Sequence, residues 1–157
     1  MEKRSINLIK IIALQGKSNV GKTMVITKLY QKLCSAYKRV AYYVENHDGD
    51  FSAIFDINKH IIGVTSIGDR KKDLLHPFEF FDYYNCELVV VCCHKKHGKD
   101  KSKEYVEEKS RHYKTAIIWY TKANLQQCNT KYNAGTEIDI INDIQAKVLL
   151  KEILLQI

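Results

Sequence analysis

Apolar positions along this chain gather into short blocks separated by segments of helical period. The runs Leu8–Leu14, Val40–Val44, Phe51–Ile57, Ile61–Ser66, Leu88–Cys93 and Thr115–Tyr120 have strand length and are rich in β-branched and aromatic residues. Helical spacing appears over 22–37, 71–85, 100–112 and 139–156. In the first of these Val25, Ile26, Leu29, Tyr30, Leu33 and Tyr37 share one face. In the last, Ala146, Leu149, Leu150, Ile153, Leu154 and Ile157 do the same. Leu88–Cys93 is apolar without interruption, as a strand covered on both faces requires. Strands alternating with helices predict an α/β fold in three layers around a mostly parallel central sheet. Between Val44 and Ile61 that alternation breaks. Phe51, Ala53, Phe55 and Ile57 alternate with smaller or polar residues, Ile54 excepted, and Asn58-Lys59-His60 separates them from 61–66. This pattern predicts an antiparallel hairpin around 51–66 and therefore a mixed sheet. With one proline (Pro77), no linker-like segment and no repeat, residues 1–157 read as a single domain.

The run Gly16-Lys17-Ser18-Asn19-Val20-Gly21-Lys22-Thr23 fits G-x-x-x-x-G-K-[ST], between an apolar strand and an amphipathic helix. Glycines at both ends let the loop curl so that successive backbone N–H groups point inward. The start of the following helix adds unsatisfied donors and the positive end of its dipole. In this pattern and context the chain resembles the P-loop NTPases. The resemblance implies a nucleotide-binding domain in which the segment Gly16–Thr23, with Met24, surrounds the phosphates. Lys22 would reach the β- and γ-phosphates, and the Thr23 hydroxyl would ligate Mg²⁺.

Composition adds little to this picture and charge adds some. The 157 residues are 45% hydrophobic and 27% charged, ordinary for a globular domain able to bury a core without staples. No apolar run approaches the length of a membrane span, and Met1-Glu2-Lys3-Arg4-Ser5 leads straight into the first strand. A cytoplasmic protein without membrane contact is the expectation. The five cysteines (Cys34, Cys86, Cys92, Cys93, Cys128) form no C-x-x-C pair and read as reduced, mostly buried thiols. Cys92-Cys93-His94 with His97 matches no usual zinc spacing, and adjacent strand residues point to opposite faces. A net charge of +7 suits polyanionic partners. Nucleotides fit that charge first and nucleic acid second. No sequence-reading motif or aromatic–basic stripe argues for nucleic acid, and Trp119 and the ten tyrosines read as packing residues.

A P-loop protein ordinarily carries an acid near the Mg²⁺ at the end of a nearby strand. Here Leu88–Cys93 ends in His94 and 115–120 ends in Thr121. Two other segments offer carboxylates at strand ends, where α/β sheets bind ligands. One is Ile62–Asp69, closing on Gly68-Asp69; the other is Glu45-Asn46-His47-Asp48-Gly49-Asp50. Asp69 is therefore assigned to the metal together with Thr23. Lys22, Asp69, Asp48 and Asp50 form the catalytic set, the acids orienting water or accepting a substrate proton. Gly68-Asp69 also suits an ordinary turn and helix cap.

Outside the loop the chain is loosely similar to two groups. The strand Arg39–Val44 followed by His47, Asp48 and Asp50 is similar to the adaptor proteins of molybdopterin guanine dinucleotide synthesis. Gly63–Asp69 with the Leu88–Cys93 strand and a basic segment is similar to small bacterial ATP-binding P-loop proteins. Abundant Lys, Ile, Asn and Tyr also suit a bacterial origin. Thr121-Lys122-Ala123-Asn124 stands where guanine-binding relatives carry [NT]-K-x-D, but Asn replaces the Asp that accepts two guanine hydrogens. ATP therefore stands ahead of GTP. The run His94–Lys103 packs Lys95, Lys96, Lys99, Lys101 and Lys103 together, either as a solvated loop or as a basic lid. Arg111 is a weaker candidate for the lid's role. The expected function is Mg²⁺-dependent ATP binding with hydrolysis or transfer of the γ-phosphate. Its alternatives are a small-molecule or nucleotide kinase with an unknown acceptor, and a non-catalytic adaptor, for ATP or for GTP, serving a protein partner.

Overall fold

The computed structural model describes residues 9–17, 21–45, 49–98, 100–123 and 134–157. In chain order the elements are β1 (Lys10–Gly16), α1 (Lys22–Ala36), β2 (Lys38–Val44), β3 (Phe51–Ile57), β4 (His60–Thr65), α2 (Lys71–Tyr83), β5 (Leu88–His94), α3 (Ser102–His112), β6 (Ile117–Thr121) and α4 (Ala134–Gln156). The six strands form one sheet in the order β2-β3-β4-β5-β1-β6. Neighbours from β4 through β6 run parallel, while β2–β3 and β3–β4 run antiparallel.

Strand alternation sorts the core into two layers. Ile12 and Leu14 of β1, with Val90 and Cys92 of β5, pack against Val25, Ile26, Leu29 and Leu33 of α1 and Ala146, Leu149 and Ile153 of α4. The alternate residues Ile11, Ala13, Val89, Val91 and Cys93 meet Leu74, Phe78 and Phe81 of α2 and Tyr105 and Val106 of α3. Ile54, the one break in the alternation of β3, joins this second layer. The result is a three-layer α/β fold. Cys92 and Cys93 do point to opposite faces, and burial pushes the Cys93 thiol up to about 12.

The predicted hairpin is present, and tighter than expected. Its loop is Asn58-Lys59 alone, both at positive φ (52° and 72°), the twist that suits a two-residue connection between antiparallel strands. The Lys59 amide donates to Asp56 Oδ1 at 2.9 Å, closing the turn. The antiparallel part of the sheet also reaches one strand further than predicted, because β2 pairs with β3 rather than entering the parallel set. Because β3 runs antiparallel to β4, its N-terminal end lies on the same sheet edge as the C-terminal ends of β1 and β4.

Two glycines let the second layer close. A Cβ on Gly63 would lie 2.4 Å from the Phe81 ring, so the bare backbone is what admits α2. A Cβ on Gly68 would lie 1.9 Å from the Cys92 carbonyl oxygen, so the segment leaving β4 crosses directly over the end of β5. Chain path, rather than a cap, explains the glycine in Gly68-Asp69.

Candidate functional site

The C-terminal ends of β2 and β4, the N-terminal end of β3 and the starts of α1 and α2 surround a cleft of about 490 Å³. Its walls include Lys22, Thr23, Glu45, Asp50, Ser66 and Asp69. Gly21, at φ +93°, turns the chain into α1; L side chains rarely adopt that backbone, and glycine does so at no steric cost.

Lys22 is the first residue of α1 and only 6% exposed. A buried ammonium needs partners in place of water. Its Nζ donates to the carbonyls of Gly16 (2.9 Å) and Lys17 (2.8 Å) and lies 3.1 Å from Asp69 Oδ1. That Asp69 oxygen is enclosed and makes no aligned hydrogen bond, so the contact is an ion pair held by charge alone. The carboxylate itself is about half exposed (49%), with its other side toward solvent.

Beside this pair stands a cluster of oxygens. Thr23 Oγ1 donates to Asp50 Oδ1 at 3.4 Å, and Ser66 Oγ lies 3.1 Å from the same oxygen. Ser66 also accepts from the Phe51 amide at 3.0 Å, which fixes the serine against the start of β3. Beneath it Ser52 Oγ donates to Thr65 Oγ1 at 2.9 Å, bracing β3 against β4. At the outer wall the Glu45 amide donates to the Asp50 carbonyl (2.8 Å), and the Glu45 carboxylate meets His76 Nδ1 of α2 at 3.1 Å.

The assigned residues thus divide. Lys22, Thr23, Asp50 and Asp69 come together, with Gly21 beside them and Gly16 and Lys17 supplying carbonyls to Lys22. Asp69, assigned from sequence to the metal with Thr23, is not the acid that contacts the Thr23 hydroxyl. Asp50 meets the Thr23 hydroxyl, whereas Asp69 meets the Lys22 ammonium. Met24 is half exposed and does not line the cleft. Ser18, Asn19, Val20 and Asp48 lie outside the described residues, as does Asn124.

Sequence reasoning missed Ser66, Arg70 and Asp73, all of which border the cleft. A hydroxyl between an apolar strand and the Gly68 turn was a signal for Ser66. Arg70 and Asp73 look like ordinary surface charges of α2, and their pairing (Arg70 Nε to Asp73 Oδ2, 2.8 Å) follows from i,i+3 helix geometry.

His94, ending the strand beside β1, is engaged by its own loop: its amide donates to Ser102 Oγ (2.8 Å) and its Nδ1 accepts from the Lys96 amide (3.2 Å). Of the basic run, Lys103 is tied down, donating to Gln15 Oε1 at 3.1 Å with its ammonium 5.0 Å from the Trp119 ring centre. Lys122, after β6, is 7% exposed and packs against Gly21; burial holds its ammonium below the ordinary lysine range. Among the described residues no group of three or more His, Cys, Asp or Glu side chains gathers as a metal cage. No described helix is long and apolar enough to cross a membrane.

Chemically, the cleft offers one enclosed cation at a helix start and, nearest to it, the hydroxyls of Thr23 and Ser66 and the carboxylates of Asp50 and Asp69, with Glu45, Arg70 and Asp73 further out. The cation suits a phosphate, and the oxygens suit a hard divalent ion. The chain matches no protein-family model, and comparison with curated proteins and with solved structures returned no match.

Proposed function

We propose that this chain is a P-loop nucleotide-binding protein that takes Mg·ATP at the Gly16–Thr23 loop and hydrolyses or transfers its γ-phosphate. The observation that carries the reading is the convergence of Lys22, Thr23, Asp50 and Asp69 on one cleft at the edge where β1 and β4 end. That edge is where α/β sheets place their ligands.

In this reading Lys22 exchanges Asp69 for the terminal phosphates. The exchange needs only a side-chain rearrangement, since Asp69 is half exposed and can turn to water. The released carboxylate then stands beside the phosphates, placed to orient water or to accept a proton from a hydroxyl acceptor. Thr23 and Asp50 are the donors for Mg²⁺. A hydroxyl and one carboxylate fit an ion that keeps most of its waters and borrows phosphate oxygens, so a larger carboxylate cage is not required. Bound there, Mg²⁺ would neutralise charge developing on the phosphate oxygens. Ser66 holds Asp50 in place.

Calorimetric titration with ATP and GTP, with and without Mg²⁺, tests the reading. Tight, ATP-preferring binding that weakens when the ion is chelated is the expected result. No binding of either nucleotide overturns it. The acids separate by their roles. Asp50→Asn should diminish the Mg²⁺ dependence of binding and turnover, because it removes the carboxylate beside Thr23. Asp69→Asn should lower turnover while leaving Mg²⁺ dependence intact, and nucleotide affinity should stay level or rise as Lys22 loses its competing partner. The reverse pattern would restore Asp69 to the metal.

A second reading, nucleotide binding without turnover, draws on His94, since the strand next to β1 ends in an imidazole rather than an acid. Phosphate release at the background rate despite tight binding would select it.

A further inference from the structure

Arg70 borders a second cleft as well as the first. This one, about 560 Å³, lies between the start of α2 and the turn that leads into α3. Lys71, Lys72 and Lys101 line it with Arg70, against the single carboxylate of Asp100. Its volume falls within the roughly 300–1,000 Å³ usual for small-molecule sites.

The walls are built to stay together. The Lys71 amide donates to the Asp100 carbonyl at 2.7 Å, fastening the α3 turn to the first turn of α2. Asp100 and Lys101 both sit at φ 55°, a backbone that non-glycine residues adopt at a cost. The Arg70 guanidinium is steadied by Asp73 at 2.8 Å. Leu75, 45% exposed, supplies an apolar patch on the same wall. With Arg70 paired to Asp73, the three lysines still outnumber the Asp100 carboxylate around this open cleft, which leaves a net positive field for an anion. The cations gather around one open cleft between the start of α2 and the turn before α3, a footprint the size of a small phosphate ester.

We propose that this second cleft binds the phosphate of a small phosphomonoester, such as a nucleoside monophosphate or a sugar phosphate, beside the nucleotide of the first cleft. The proposal rests on the nucleotide reading for its neighbour, but the cationic cleft can be tested alone. AMP, GMP, CMP, UMP and ribose phosphate are titrated singly into the full chain, with and without a saturating non-hydrolysable ATP analogue. The same titrations are made on the Lys71→Ala/Lys101→Ala double variant, whose altered side chains are exposed.

At least one phosphomonoester should bind in the presence of the analogue. The double variant should bind it about tenfold or more weakly, as loss of hydrogen bonds to a charged group requires, with analogue affinity unchanged. Ribose phosphate binding as well as the monophosphates marks the phosphate as the feature read; binding of the monophosphates alone adds a contact to the base. If the analogue itself fails to bind, the nucleotide reading falls, while monophosphate binding that is sensitive to the double variant still upholds the cleft. Three outcomes overturn the proposal: no phosphomonoester binds, the analogue displaces it competitively, or the double variant binds it as well as the native chain. Binding of a single-stranded oligonucleotide without any monophosphate also overturns it, in favour of nucleic acid.

Discussion

Lys22→Ala should weaken Mg·ATP binding about 100-fold or more, a loss on the order of 3 kcal/mol, and reduce turnover to background. The size follows from where the ammonium stands. It is enclosed at the start of α1 with its donors aimed inward, so its charge acts on a phosphate with little screening from water. The fold should survive, because Asp69 is half exposed and regains water once its partner is gone. Calorimetry gives the affinity, and a melting curve within about 3 °C of the native chain supplies the control, equivalent to about 1 kcal/mol at this length. Unchanged ATP affinity in a folded variant would sink the phosphate-loop reading. Lysine-to-arginine replacement is a poor rescue, since a planar fork does not fit a space shaped around carbonyls at 2.8 and 2.9 Å.

For Gly68→Ala the expected effect is on stability, and it is large. The added methyl would meet the Cys92 carbonyl oxygen at 1.9 Å and its carbon at 2.4 Å, both backbone atoms of a buried central strand. Neither can swing aside as a side chain would. Overpacking of this kind costs about 3 kcal/mol or more, which at this length lowers the melting temperature by about 6–12 °C. Gly98→Ala is the informative comparison. Gly98 has φ +86° but nothing within 4 Å of the added methyl, so only backbone strain of about 1–2 kcal/mol applies. Equal melting temperatures for the two variants would refute the close crossing of the 66–69 segment over β5. Gly68→Ala should also misplace Asp69, so any residual folded protein should show reduced turnover even at temperatures where it stays native.

The loop and its lysine were legible because they are local. A glycine at positive φ, a lysine opening a helix and a hydroxyl after it all follow from eight consecutive residues. The hairpin was legible for a similar reason, since alternation in 51–57 and a polar break fix two neighbouring strands. The partners of the loop were harder. Asp50 precedes an apolar strand, and nothing in that arrangement says which residue of the loop it meets. Its place beside Thr23, 27 residues away, depends on β3 running opposite to its parallel neighbours and so beginning where they end. Asp69 met Lys22 instead, because Gly68 carries the chain across β5 toward β1.

Sequence by itself determined the layered α/β character, the strand covered on both faces, the hairpin and the identity of the lysine, threonine and carboxylates available to the cleft. These rest on periodicity and on short-range backbone preference, which a linear string records. Only the tertiary structure decided that β2 joins the antiparallel edge, that the two acids divide between the ammonium and the hydroxyl, and that Lys101 lines a second cleft together with Arg70, Lys71 and Lys72. Those outcomes depend on strand direction and on close approach of backbones far apart in the chain. Neither leaves a period in the sequence, because each is fixed by the space left between packed layers.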